Sequence, residues 1–188
     1  ASLGPSSRIG FGTGASSADP AANVRVVELG GGELLKLSPD LAVRTATNTH
    51  FDQGLEQTGT LSLSYRFDLG ARSITYSGDT GPSTQLATLA KGSDMLVSEV
   101  IALESLLADI TAHRPDMNAE TKAQMRQHLS THHIDAAEVG RVAAQASVRR
   151  LVMTHFAIPG PLTASEGHLR SSAGQSFAGP IDLARDLA

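Results

Sequence analysis

The sequence predicts an α/β fold, on three observations. Strand-like segments dominate residues 23–78, helical and strand-like segments alternate after Thr80, and three predicted strands run into residues of the kind that ligate metals. Those strands are 41–49 before His50, 72–76 leading through Ser77-Gly78 to Asp79, and 149–154 before His155. Imidazole and carboxylate are the ligands expected of hydrolytic zinc, and strand ends are rigid places to hold them.

Taken in order, residues 1–22 are rich in Gly, Ser, Ala and Pro and read as a flexible lead-in to a single unit, 23–188. Gly10-Phe11-Gly12-Thr13-Gly14 has the glycines of a phosphate loop, but no lysine follows and Pro20 opens no helix, so it reads as loop. Strands are predicted at 24–29, 33–37, 41–49, 60–68 and 72–76. In the fourth, Leu61, Leu63, Tyr65 and Phe67 alternate with Ser62, Ser64 and Arg66, a period of two that marks one buried face. A helix at 83–91 stops at Gly92, and a buried strand at 94–100 precedes helices at 102–112 and 118–127. Asp135 reads as an N-cap with Glu138 at the third helical position, opening a helix at 136–146 that feeds the His155 strand. The tail from Pro159 reads as loop until Pro180-Ile181-Asp182-Leu183.

Composition narrows the function. A net charge of -4 and a pI near 5.9 argue against a broad electrostatic footprint for nucleic acid. With no Trp, 2 Tyr and 5 Phe, stacking platforms for bases are poorly supplied. The absence of cysteine excludes disulfides, thiolate metal sites and a cysteine nucleophile. No run reaches the roughly 18 apolar residues that span a bilayer, and Ala1 to Pro5 lack signal-peptide features, so the expected compartment is cytoplasmic or periplasmic, with no membrane partner. A serine hydrolase is excluded because Gly-x-Ser-x-Gly does not occur. Asp52, Glu56 and Asp68 fall in polar stretches and read as solvated charge, while His113 and His168 read as facing solvent.

Tyr65-Arg66-Phe67-Asp68, then Ser73-Ile74-Thr75-Tyr76-Ser77-Gly78-Asp79-Thr80, then Leu89 to Glu99 and on through His133 to His155, resemble metallo-β-lactamase-fold hydrolases of the ribonuclease Z and arylsulfatase-like branch. The resemblance covers roughly residues 22 to 188 and implies the C-terminal portion of an αββα sandwich. It implies two zinc ions, with His50 on one, His155 on the other and Asp79 bridging both. It further implies that His133, supported by Glu99, protonates the leaving group as zinc-activated water attacks a phosphoester, sulfoester or related bond of a small-molecule ester.

The departures are specific. Ser98-Glu99-Val100-Ile101 stands where ribonuclease Z enzymes have His-Glu-Ala-Thr, and His133-Ile134-Asp135 where they have His-Ser-Thr. The His-x-His-x-Asp-His cluster of the family occurs nowhere in these residues. The expectation is therefore a part of a longer hydrolase, inactive alone, that forms a homo-oligomer or needs an N-terminal half. The alternative is a non-catalytic half-domain or subunit whose ligands a partner chain completes. His128 and His132 are expected to be surface or supporting residues rather than an independent metal site.

Overall fold

The computed structural model describes residues 26–51 and 60–186. Its strands form one sheet in sequential order, β1 (Leu34–Lys36), β2 (Leu41–Thr47), β3 (Leu63–Leu69), β4 (Arg72–Tyr76), β5 (Met95–Ile101), β6 (Leu151–Ala157) and β7 (Ile181–Leu183). The pairs from β1 to β4 are antiparallel, and those from β4 to β7 are parallel. The β3–β4 hairpin closes with Leu69 opposite Arg72, and Gly70 takes a φ of 57°, the left-handed conformation such a tight loop needs. Parallel pairing requires crossovers, which the helices supply: α1 (Thr84–Leu89) between β4 and β5, then α2 (Leu103–His113), α3 (Ala119–His132) and α4 (Ala136–Gln145) between β5 and β6, and α5 (Leu162–Gly174) before β7.

Local chemistry sets the helix starts. The Ser83 hydroxyl accepts from Leu86 N–H, and the Asp135 carboxylate accepts from Glu138 N–H at 2.8 Å, as the N-cap reading predicts. The core lies between the sheet and α1, α4 and α5, where Leu86, Leu96, Val139, Leu151, Met153 and Leu169 are fully buried. Each such large side chain contributes about 1.5–3 kcal/mol. Helices α4 and α5 approach closely at Gly140, where a Cβ would lie 2.8 Å from the Ala173 carbonyl carbon. Helices α2 and α3 pack chiefly on each other.

The opposite face of the sheet carries Tyr65, Phe67, Ile74 and Tyr76, with Phe67 and Tyr76 in edge-to-face contact at 5.9 Å. Phe67 is 36% and Tyr76 43% exposed, so no described helix covers this face. The arrangement is one sheet and one helical layer of the sandwich expected from sequence.

Several local expectations are corrected. Residues 26–30 form no strand; instead the chain folds back at Gly32, whose N–H donates to Thr45 O. The second strand ends at Thr47, leaving His50 three residues beyond it, and β6 continues past His155. The tail expected as loop contains α5, which begins after Pro161 and buries Leu169 and Ala173. Asp68 is not solvated charge but lies in β3, paired with Arg44 at 3.0 Å and Arg66 at 2.9 Å. The 1–22 lead-in, its boundary at 23, the Gly10–Gly14 segment, Asp52 and Glu56 lie outside the described residues. No described helix is long and apolar enough to cross a membrane.

Candidate metal centre

Asp79 is presented by a turn that three buried groups pin. Beyond β4, Ser77 N–H still donates to Val97 O, and the Ser77 carbonyl then accepts from Ser64 Oγ at 2.6 Å and Asn48 Nδ2 at 3.0 Å. The Ser77 hydroxyl accepts from Glu99 N–H at 3.1 Å. Gly78 follows with a φ of 62°, and a Cβ there would meet Leu63 O at 3.1 Å, so the turn favours glycine twice over. The chain emerges with Asp79 partly exposed and Thr80 fully buried, its N–H donating to Glu99 Oε1 at 2.5 Å.

His50 is oriented from both ends. Its backbone N–H donates to Asn48 Oδ1 at 3.1 Å, and its Nδ1 donates to the His132 carbonyl at 2.9 Å. That bond places the proton on Nδ1 and leaves the Nε2 lone pair for a ligand. His132 returns the bond, its own Nδ1 donating to the His50 carbonyl. The junction is tight: a Cβ on Gly81 would lie 2.7 Å from the Thr131 carbonyl carbon, so the Asp79 loop and the end of α3 are in direct contact.

Glu99, 2% exposed and two residues before the end of β5, joins the two sides. While Oε1 holds Thr80 N–H, Oε2 accepts from His133 Nδ1 at 2.8 Å. The hydrogen bond to Glu99 raises the His133 pKa above the ordinary imidazole value, burial opposes it, and the charges of Glu99 and Asp79 reinforce it.

His155 owes its position to a bulge. In the β5–β6 ladder Glu99 faces Thr154 and Val100 faces Phe156, which leaves His155 as the extra residue. Its φ is 46°, a left-handed conformation that costs a non-glycine residue on the order of 1–2 kcal/mol. The bulge turns the imidazole out of the strand's alternation, and Nε2 reaches Asp79 Oδ1 at 3.3 Å.

One ligand atom each from His50, Asp79 and His133 lies within 4.8 Å of the others, and Asp79 also meets His155. Among the sequence-predicted residues the structure therefore brings Asp79 to His50 and to His155, and Glu99 to His133. It adds His133, assigned by resemblance to proton transfer, to the group able to hold an ion. The donor chemistry fits zinc: imidazole nitrogens and a carboxylate, with Nδ1 of His50 and His133 each held by an oxygen acceptor.

Asn48 went unrecognised, although a polar residue two positions before a strand-end histidine was its one visible signal. His132, read as a surface or supporting residue, is 8% exposed; His128, His113 and His168 are exposed.

Residues 9–156 match the family described as the beta-lactamase superfamily domain. A ribonuclease Z of Mycobacterium avium is 32% identical over 126 residues, which are 67% of this chain and 40% of that protein. The chain thus spans about 40% of the length of that relative. Among solved structures, the metallo-beta-lactamase fold protein YhfI of Bacillus subtilis superposes with a TM-score of 0.58 at 19% identity, covering 85% of this chain and 52% of that one. Zn2+-bound PqqB of Methylobacterium extorquens gives 0.50 at 15% identity, covering 84% and 49%. These two likenesses show the fold alone.

The relatives named ribonuclease Z overturn the expectation of a small-molecule ester substrate without a nucleic-acid signal, because they point to RNA. The physical reason is that net charge sums a whole surface, whereas phosphate recognition is local.

Proposed function

The chain belongs to the beta-lactamase superfamily, and from that premise we propose that it contributes the zinc-binding and proton-transfer residues of a hydrolase that cleaves RNA phosphodiester bonds. One observation carries the reading: the Asp79 carboxylate lies within 4.8 Å of ligand atoms of His50 and His133, and its Oδ1 also meets His155 Nε2 at 3.3 Å. In this proposal His50 would hold one zinc, His155 would hold a second, and Asp79 would serve both. When bound, zinc supplies Lewis acidity toward a phosphoryl oxygen.

The chain's own residues supply the rest. Glu99 fixes the His133 ring through Nδ1, leaving Nε2 to face the cluster. The Glu99 bond keeps the imidazole protonated at higher pH than an unassisted one. As a water oxygen bonds to phosphorus, releasing its proton to solvent, and the leaving phosphorus–oxygen bond breaks, the leaving oxygen takes the proton from His133 Nε2, a contribution of roughly 10²–10⁴-fold. Asn48 and His132 hold His50 in register during this step.

A second reading makes His133 a ligand, favoured by its place in the His50–Asp79 group. The two readings separate on His133→Ala: as proton donor its loss lowers turnover more than zinc content, and as ligand it lowers both equally. Among the described residues, four donors shared by two ions also fall below the three protein ligands per ion typical of catalytic zinc. We therefore infer weak zinc binding and slow turnover for a chain of this span.

Zinc analysis after gel filtration, with RNA and aryl phosphodiester substrates on the same sample, tests the proposal. Zinc lost in Asp79→Asn and RNA cleaved in preference to the aryl ester is the expected result. Zinc content unchanged by Asp79→Asn, or aryl ester turnover without RNA cleavage, overturns it.

A further inference from the structure

Four imidazoles run from the surface into the metal centre. Ring centroids are 4.5 Å apart for His128 and His132, 6.1 Å for His132 and His50, and 5.2 Å for His50 and His133. Only the inner two belong to the group around Asp79. The outer two lie one turn apart on α3, at positions i and i+4, on one helix face. We propose that His128 and His132 form a separate bis-imidazole site for a divalent transition metal.

The geometry suits a chelate. Two imidazoles bound cis to one metal through nitrogens about 2.1 Å away place their ring centres roughly 4.5–5 Å apart. The observed 4.5 Å, with the ring planes 35° apart, falls in that range. The tautomer is also set: His132 Nδ1 donates to the His50 carbonyl, so the lone pair sits on Nε2, the arrangement in which a metal-bound histidine is held through its other nitrogen by a backbone oxygen. His132 is buried and ordered by that bond, while His128 is exposed, so an ion reaches the pair from solvent and water completes its shell. A purely nitrogen and water environment ranks the ions by the Irving–Williams order, with Cu2+ first and Ni2+ and Zn2+ weaker. The remaining histidines, His113 and His168, are on other helices, α2 and α5.

Cu2+ alone is the probe. It is titrated into the metal-free chain and followed by calorimetry and by the nitrogen hyperfine pattern in electron paramagnetic resonance, for wild type, Asp79→Asn, His128→Ala and His128→Gln. Asp79→Asn is expected to retain one Cu2+ with two imidazole nitrogens. Combined with Asp79→Asn, both His128 substitutions are expected to lose that signal and weaken the outer site by more than about tenfold, since even outer-shell changes cost 10–100-fold in affinity; with Asp79 intact, each removes one Cu2+. His128 is exposed, so these variants keep the fold, which circular dichroism checks. If Asp79→Asn does not fold, wild type against His128→Gln decides by one fewer Cu2+ bound. Cu2+ stoichiometry and spectrum unchanged by the His128 variants, or no two-nitrogen species in folded Asp79→Asn, overturns the proposal.

Discussion

Replacing Glu99 by Gln probes the linkage between the Asp79 loop and His133 with almost no change of shape. Glu99 is 2% exposed, with Thr80 N–H on one oxygen at 2.5 Å and His133 Nδ1 on the other at 2.8 Å. A glutamine keeps its carbonyl for Thr80 and must then turn an NH2 toward His133. The imidazole has to accept there, so its proton moves to Nε2 and the positive charge loses its counterion. A hydrogen bond to a charged group is worth about 1.5–3 kcal/mol and a neutral one about 0.5–1.5, so the variant loses about 1–1.5 kcal/mol. For a chain of this size that lowers the melting temperature by about 2–6 °C.

The sign of the pH dependence follows from the raised His133 pKa. A histidine whose folded pKa lies above its unfolded value contributes stability that is fully present below the unfolded value of about 6.5 and is lost as pH rises through the folded one. The deficit of Glu99→Gln is therefore largest near pH 5.5 and shrinks toward pH 9. Thermal melts of the metal-free protein at both values, with an NMR titration of the His133 ring, measure it. A deficit that is constant or grows with pH, or a His133 midpoint that stays in place, refutes the linkage.

Asn48→Ala leaves His50 N–H without its side-chain acceptor and Ser77 O with one donor fewer in a buried setting. Stability should fall by about 1–3 kcal/mol in a denaturant titration, and zinc affinity by 10–100-fold in calorimetry; intact affinity would remove Asn48 from any role in orienting His50. His155→Gly should raise the melting temperature of the metal-free chain, because it relieves a left-handed residue worth about 1–2 kcal/mol, while lowering zinc content. A melting temperature that falls would mean the bulge is held by packing of the ring. Gly140→Ala drives a methyl to 2.8 Å from the Ala173 carbonyl carbon and should cost about 1–3 kcal/mol by forcing α4 and α5 apart. An unchanged melting temperature would show that the two helices separate freely.

What was legible in the sequence was local chemistry. The glycine turn before Asp79 and the Asp135 cap are each decided by neighbouring residues, and the structure keeps them; the period-two segment does form β3, but Ser64 is its buried residue while Phe67 and Leu69 on the apolar face are exposed. What was hidden depends on distant contacts. Helix α5 has few apolar residues and a run of Ser and Gly, and it is helical because Leu169 and Ala173 bury against the core. The helix predicted at 118–127 continues to His132, with Ser130 Oγ donating back to Gln127 O and the Thr131 carbonyl pressed against the Gly81 backbone. That extra turn is what carries His132 to His50. The bulge at His155 left no trace in the pattern either, because one extra residue in a strand is defined only by its partner.

Sheet topology explains why separate strand ends became one centre. β3 is antiparallel to both β2 and β4, so β2 and β4 point the same way, and β5 and β6 are parallel to β4. Residues following β2 and β4, and near the ends of β5 and β6, therefore arrive at the same edge of the sheet. His50, Asp79, Glu99 and His155 occupy those four positions. Asp68 shows the converse: it is an acid near the end of a strand, but β3 runs in the opposite direction and delivers it to the other edge, where Arg44 and Arg66 neutralise it. Strand direction, rather than residue type, thus separates the carboxylate that can meet three imidazoles from the one that cannot.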